Sequence, residues 1–237
     1  ACGACRVARV VSGGVGARSS RRLKEPVAPV IPGALSEASL VNGEPVDDGV
    51  YLSMRFGALD LAERDAEDAD FERCRFQETR LYGTSMRRAE FRDVEFASCD
   101  LANLRLSDSR IFNVVIEGSR LTGTSLTGCS LRDVLFSNCR ADLSSFRFSR
   151  FKNVVFRDCN LTNANFQEAD LTGARFERCK LGGAQFSNAN MKGTRLSECD
   201  LYGVQGVQSF AGAVVATGDA QGLLLTLAAA MGITVED

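Results

Sequence analysis

An apolar residue recurs at every fifth position from Phe71 to Leu201, and all 27 positions of this series are apolar. The residue two places before each of them is Ala, Cys, Thr, Val or Ser, apart from a single Leu104. Two places after, 18 of the 27 residues are Gly, Asn or Asp, which tolerate the backbone angles of tight turns. Because five matches neither the period of an α-helix nor that of a strand, the chain must turn after every five residues.

A short extended piece followed by a corner, repeated many times, winds a chain into a coil with an apolar interior. Contacts between neighbouring coils stabilise such a solenoid. Residues 20 positions apart are chemically alike, as expected if each coil holds four five-residue units. Two such columns are Phe76, Phe96, Ile116, Phe136, Phe156, Phe176 and Leu196, and Leu81, Leu101, Leu121, Ala141, Leu161, Leu181 and Leu201.

In runs such as Ala-Asp-Leu-Thr-Gly at 169–173, the sequence resembles the pentapeptide-repeat family. That resemblance implies an all-β fold, a right-handed quadrilateral β-helix with 20 residues per coil. We therefore predict about seven coils over residues 58–205, with a short C-terminal capping helix. At the roughly 4.8 Å spacing of paired strands the rod would be roughly 35 Å long.

The segments outside the repeats differ in composition. Residues 1–25 are basic and predicted to be disordered; a segment foreign to the natural chain or a transit peptide are the other interpretations. Cys2 and Cys5 form only half of a zinc site. Residues 26–57 contain all four prolines and are predicted to be an extended linker and N-terminal cap, with the first coil or a capping strand beginning near residue 46.

Residues 206–237 are predicted to form a strand over 206–216 and then a helix from Asp219 to Met231, ended by Gly232. The helix has more apolar positions than one buried stripe requires. Either it plugs the rod and meets a second subunit, or it is fully buried. Gyrase-protecting members of the resembled family end in a similar segment that pairs two rods, which implies a homodimer. The candidate cap or dimer residues are Leu223, Leu224, Leu227 and Met231.

Two outward-facing groups are candidate partner-binding sites. Val115, Leu135 and Val155, here called the ladder, occupy the same outward position on three successive coils. An exposed apolar ladder indicates a contact site, although β-branched residues also favour a sheet for its own sake. The residues Leu143 and Phe148 replace turn-forming types, which predicts either a bulge or a local apolar patch.

The second group is basic and spans four coils. It consists of Arg92, Arg110, Arg132, Arg150 and Lys152, here called the basic strip. Acidic residues gather instead near the first coils, from Asp60 to Glu72. Residues 58–205 hold 21 basic and 22 acidic side chains, so the rod is nearly neutral. This weakens the imitation of duplex DNA for which the gyrase-protecting members are known.

The chain contains no histidine, and no nucleophile and base, phosphate loop or metal cluster is recognisable. We therefore predict no enzymatic activity, no cofactor, no metal and no small-molecule substrate. Five cysteines share one inward column and are interpreted as small buried apolar residues: Cys99, Cys139, Cys159, Cys179 and Cys199. No apolar run is long enough to span a membrane, and we expect a cytoplasmic protein.

The expected function is that of a rod that binds a protein, with a type II topoisomerase such as DNA gyrase as the specific partner suggested by the resemblance. The alternative is a scaffold, or a surface that binds anions or nucleic acid, using the basic side around Arg132 and Arg150. Direct binding of nucleic acid is not favoured, because the strip lacks the interleaved aromatic residues on which bases stack.

Overall fold

The computed structural model describes residues 23–235, and Cys2, Cys5 and most of the basic tail lie outside them. The described chain is a parallel β-solenoid with one short α-helix at its C-terminal end. The strands are β1 (Ser36–Glu37), β2 (Val50–Leu52), β3 (Met54–Gly57), β4 (Asp65–Glu67), β5 (Asp70–Glu72), β6 (Arg75–Gln77), β7 (Ser85–Arg87), β8 (Glu90–Ala97), β9 (Arg110–Glu117), β10 (Ser130–Ser137), β11 (Arg150–Arg157), β12 (Arg175–Glu177), β13 (Arg195–Ser197) and β14 (Val214–Val215).

Successive coils pair in parallel, and between β2 and β13 each paired residue lies beside the one 20 positions later, as in Phe136 beside Phe156. One side of the rod runs through ten strands, in the order β1-β3-β6-β8-β9-β10-β11-β12-β13-β14. The solenoid has about nine turns in all, rather than the seven predicted from residues 58–205. The difference arises because pairing continues beyond the strict repeat, through β1 at one end and β14 at the other.

The interior consists of stacked side chains. Phe136, Phe156 and Phe176 lie one above the other, with ring centroids 4.5 and 5.1 Å apart. Several of the small inward Thr, Ser and Cys side chains hydrogen-bond to the preceding coil: the Thr79 hydroxyl donates to the Phe56 carbonyl at 2.6 Å. Each coil thus buries one large and one small side chain per side, and their hydrogen bonds are satisfied within the rod.

Corners carry the unusual backbone angles that the sequence pattern predicts. Asn163, for example, has φ 56°, in the left-handed region that Asn and Gly tolerate. Leu143 and Phe148 keep the same geometry, with φ 60° and 59°, so the coil has no bulge. Their side chains point outward and are 60% and 47% exposed. The bulge is therefore excluded, and the two apolar side chains are exposed at successive corners of the coil.

The C-terminal end departs in part from expectation. Residues 207–210 form a short 3₁₀ helix, and only Val214–Val215 form a strand, so the predicted strand over 206–216 is too long. Helix α1 (Ala220–Ala230) follows Asp219 and lies against the last coil, where Gly222 approaches the backbone of Leu201. The Asp219 carboxylate does not cap α1; it accepts a hydrogen bond from the Cys199 amide at 3.0 Å.

The strain at Leu143 gives a stability prediction. Replacing Leu143 with Asn should raise the free energy of unfolding by about 1 kcal/mol, because Asn adopts the left-handed conformation more readily and little buried surface is lost. Chemical denaturation followed by circular dichroism measures the change. Tyr202→Asn is the control, since Tyr202 is also exposed but has no positive φ. Equal or lower stability of Leu143→Asn would contradict this account.

Candidate functional site

The basic strip lies on the side of the rod formed by the first half of strands β8 to β11. Arg92, Phe112, Arg132 and Lys152 are aligned on successive coils, and Arg110 and Arg150 occupy a second column two residues away. Strand pairing spaces neighbouring side chains in a column by about 4.8 Å. The fold therefore brings all five predicted basic residues to one side.

The strip is only partly neutralised. Glu90 contacts Arg92 and lies 3.7 Å from Arg110, and Arg132 lies 3.6 Å from Asp133. Within residues 23–235, Arg150 and Lys152 form no ion pair, and both side chains are exposed. They line a shallow groove of about 450 Å³ together with Phe112, Arg132 and Thr172, among others. Phe112 also lies in this groove, with the centre of its ring 5.3 Å from the guanidinium carbon of Arg132, and nothing in the sequence pattern marks it as a site residue.

Many charges elsewhere on the rod pair between neighbouring coils. Their partners lie 20 or 21 positions apart, as in the pairs Arg80–Asp60, Arg87–Glu67, Arg88–Asp68, Arg120–Asp100, Arg75–Glu95, Arg157–Glu177 and Arg178–Asp158. Acidic residues of the first coils, such as Asp60 and Glu67, therefore face arginines. In these pairs opposite charges of neighbouring coils face each other, whereas Arg132 and Lys152 of the strip are like charges in register.

The ladder lies on the adjacent side of the same four strands. Val115, Leu135 and Val155 are aligned in register, as predicted. They are not equally accessible: Val115 and Leu135 are half-buried, and Val155 is 0% exposed. The expectation that all three are exposed is wrong for Val155, because another part of the chain lies over that position.

The covering part is residues 23–32, here called the N-terminal segment. Asn153 and Arg157 lie on either side of Val155 in β11, and both contact Glu25. The Asn153 side chain donates to the Glu25 carbonyl at 3.2 Å, and Arg157 donates to its carboxylate at 3.0 Å. Arg175, one coil further and only 6% exposed, donates to the same carboxylate at 3.1 Å. Glu25 thus lies over the ladder at Val155 and makes contacts on both sides of it.

The segment continues along the rod towards its N-terminal end. The Val27 amide donates to Asp133 at 3.3 Å, and the Val30 amide donates to Asp93 at 3.0 Å. These acceptors belong to one corner column, whose members are Asp93, Asn113, Asp133 and Asn153. The sequence predicts them as turn residues, and each has a positive φ. It does not reveal that three of them, Asp93, Asp133 and Asn153, also hold the segment.

The carboxyl of Glu25 is suited to this contact at neutral pH. Burial opposes its ionisation, but hydrogen bonds and charges from Arg157 and Arg175 outweigh that effect and lower the pKa of Glu25. A group whose pKa is lowered in the folded state stabilises the contact above its ordinary pKa. That contribution is lost as the pH falls through the lowered value.

The inward cysteines behave as core residues. Burial raises the pKa of Cys129 to about 12 and that of Cys99 to about 11, which keeps both thiols protonated at neutral pH. The thiol of Cys139 donates to the Ile116 carbonyl at 3.3 Å, and Cys159, Cys179 and Cys199 donate to the corresponding carbonyls of the preceding coil, those of Phe136, Phe156 and Phe176. Each therefore takes the place of the Thr or Ser hydroxyl found at equivalent positions. Residues 23–235 contain no cluster of side chains able to hold a metal ion.

The candidate dimer residues separate into two groups. Leu223 is buried against the rod, whereas Leu224, Leu227 and Met231 are exposed by 61%, 38% and 75%. Their spacing of three and four residues places these three on one side of α1. In the part of the chain that the structure describes, no helix is long and apolar enough to cross a membrane.

These features define a class of protein, a parallel β-solenoid that presents columns of side chains on flat sides. The pentapeptide repeat region family matches residues 53–126, 89–154 and 142–205. The chain therefore belongs to the pentapeptide repeat family, as its sequence pattern predicts.

Several solved structures are similar to this chain. A trypsin-treated variant of QnrB1, a plasmid-mediated fluoroquinolone resistance protein, is 20% identical over 89% of this chain and 100% of that one, with a TM-score of 0.41. HetL, a pentapeptide repeat protein involved in heterocyst differentiation regulation in Nostoc sp. strain PCC 7120, is 16% identical over 69% of this chain and 92% of that one, with a TM-score of 0.36. The comparison with curated protein sequences gave no match.

Proposed function

We propose that this chain is a non-enzymatic interaction protein that presents the basic strip to an acidic surface of a protein partner. The observation that carries the proposal is the strip itself. Each of four successive coils places a cation there, and Arg132 and Lys152 are like charges in register. Many charges elsewhere are paired with an opposite charge of a neighbouring coil. Like charges in register repel one another and add nothing to the stability of the rod, so their placement is best explained by an external partner.

A protein partner fits the strip better than nucleic acid does. Single-stranded nucleic acid is usually bound by basic grooves with several aromatic residues on which bases stack. The strip offers one aromatic side chain, Phe112, and its ring already faces Arg132. The groove is shallow, and acidic side chains from a partner could reach Arg150 and Lys152 without displacing an existing ion pair.

A type II topoisomerase is the specific partner proposed from the family resemblance. The charge distribution argues against binding by imitation of duplex DNA, because a duplex mimic needs rows of free carboxylates. Here Asp60, Asp68 and Asp158 each form an ion pair with an arginine of the next coil. If a topoisomerase is the partner, we propose that it is recognised through the basic strip.

We also propose that two copies of the chain associate through α1. The exposed stripe Leu224, Leu227 and Met231 supports this, because apolar side chains on one side of a terminal helix favour burial against a second apolar surface. Two copies of the same stripe would form a self-complementary contact about a twofold axis.

Charge reversal tests the strip. The variant Arg132→Glu/Arg150→Glu should lose a protein captured from the source cell by the wild-type chain, because attraction becomes repulsion at the centre of the strip. The control is Arg140→Glu/Lys180→Glu, which makes the same change in net charge on another side of the rod. Equal capture by all three proteins would exclude the strip as the contact surface. Salt-sensitive binding of a labelled DNA duplex, lost in the strip variant alone, would favour the nucleic-acid alternative.

A supercoiling assay tests the topoisomerase. With purified DNA gyrase, the wild-type chain at micromolar concentration is expected to reduce supercoiling or to protect the enzyme from a quinolone. Arg132→Glu/Arg150→Glu should lose this effect, and Arg140→Glu/Lys180→Glu should keep it. Absence of any effect by the wild-type chain would exclude gyrase as the partner while leaving other protein partners open.

Light scattering after size-exclusion chromatography tests the dimer. The wild-type chain should have twice the mass of the 25.6 kDa monomer. Leu224→Glu/Met231→Glu should be monomeric, because burying two carboxylates in an apolar interface is strongly unfavourable. Leu143→Glu, which places a carboxylate at an exposed leucine far from α1, should remain dimeric. A monomeric wild-type chain would refute the proposed association.

A further inference from the structure

We propose that the side of the rod carrying the ladder is a binding site for an extended peptide with proline at every third residue and a carboxylate near its N-terminal end. In this structure the chain's own N-terminal segment occupies the site. The site is distinct from the basic strip, so this inference does not depend on the proposed function.

The proline repeat of the N-terminal segment matches the coil repeat of the rod in length. Pro26, Pro29 and Pro32 are three residues apart, the period of a polyproline II helix, which rises about 3.1 Å per residue. Three such residues span about 9.3 Å, and two coils of the rod span about 9.6 Å. Val27 and Val30 are three residues apart, and their acceptors Asp133 and Asp93 are two coils apart. A proline-repeat peptide therefore stays in register with alternate coils.

Along the segment, residues whose amides donate to the rod follow prolines, which have no amide hydrogen to donate. Proline has no amide hydrogen, so it suits positions where the rod offers no acceptor. The residue after each of Pro26 and Pro29 supplies the amide that a corner carboxylate accepts. The three prolines are half-buried, as expected if they face the rod. The site thus distinguishes positions along the peptide by their hydrogen-bonding capacity.

The Glu25 carboxylate is held at one end of the site by two arginines. Arg157 and Arg175 both donate to the Glu25 side chain, and Arg175 also donates to the Lys24 carbonyl at 3.2 Å. Hydrogen bonds between charged groups are stronger than neutral ones, so this end fixes the direction and register of the peptide. Val155 lies beneath Glu25, and its complete burial shows close contact at this end of the site.

The segment is separable from the rod. Each hydrogen bond between residues 23–32 and the solenoid involves a side chain, whereas β8 to β11 pair with one another along their length. Removing the segment leaves the sheet bonds and the apolar core in place. The receptor surface therefore persists without its occupant and accepts the same peptide from outside.

Competition between the two occupants tests the proposal. The probe is a fluorescent peptide with the sequence of residues 23–32, and the readout is anisotropy with the full chain. The variant Glu25→Lys/Val27→Pro weakens the internal segment without changing the receptor. It should bind the peptide at least about tenfold more tightly than the wild-type chain, where the tethered segment competes at a high effective concentration.

Two altered peptides provide the matched control. Val27→Pro removes the amide that donates to Asp133, whereas Ala28→Pro removes an amide that donates no hydrogen bond within residues 23–235. Both changes suit a polyproline II conformation, so only the lost hydrogen bond differs. Affinity for the open variant should fall about fivefold or more for the first peptide and stay within about twofold for the second. Leu135→Arg in the open variant should abolish binding.

Either of two results would overturn the proposal: the open variant binds the peptide no better than the wild-type chain, or the two altered peptides bind equally. Circular dichroism checks that the open variant keeps the wild-type fold. If it does not, hydrogen exchange on the wild-type chain decides the question. Excess peptide should then release the protected amides of Val27 and Val30, and unchanged protection would reject the site.

Discussion

Parallel pairing of each residue with the one 20 positions later is the constraint on which the rest of this structure depends. It aligns identical positions of successive coils at about 4.8 Å, so any side chain is accompanied by its counterparts above and below. Aromatic rings then stack on aromatic rings, as in Phe146 and Phe166, whose planes differ by 4°. A polar or oversized residue in an inward column would disturb two neighbouring coils as well as its own. This requirement explains why every fifth residue from Phe71 to Leu201 is apolar.

The same alignment places each charged side chain on the surface next to the residues at the same position in the neighbouring coils. A column with one sign accumulates repulsion, and a column in which the sign changes between coils gains a set of ion pairs. Asp158 and Arg178 illustrate the second arrangement, with two contacts of 2.7 and 2.8 Å. Exposed pairs of this kind contribute little to stability individually. Where such pairs form, they reduce the external field of the rod, whereas the like charges Arg132 and Lys152 of the basic strip add to it.

The periodic part of this molecule could be predicted from sequence, because its structure is determined by local repetition. The inward columns, the corners and the alignment of Val115 with Leu135 follow from position alone. Two kinds of feature could not be obtained in this way. The number of coils was underestimated, since residues 36–57 pair with the rod without keeping the strict pattern. The burial of Val155 depends on a contact between residues about 130 positions apart, for which no repeat gives a signal.

The proline spacing of the N-terminal segment can be interpreted once the structure of the rod is known. Prolines spaced by three residues indicate a polyproline II segment in any sequence, and by themselves they suggest only a stiff linker. Beside a solenoid, the same spacing acquires a geometric meaning, because the rise of three extended residues is close to the height of two coils. A flexible linker of other composition would meet corner carboxylates at irregular intervals, and most of its amides would find no acceptor. The regular spacing of the coils therefore favours a peptide with proline at every third residue, and residues 23–32 of the chain are such a peptide.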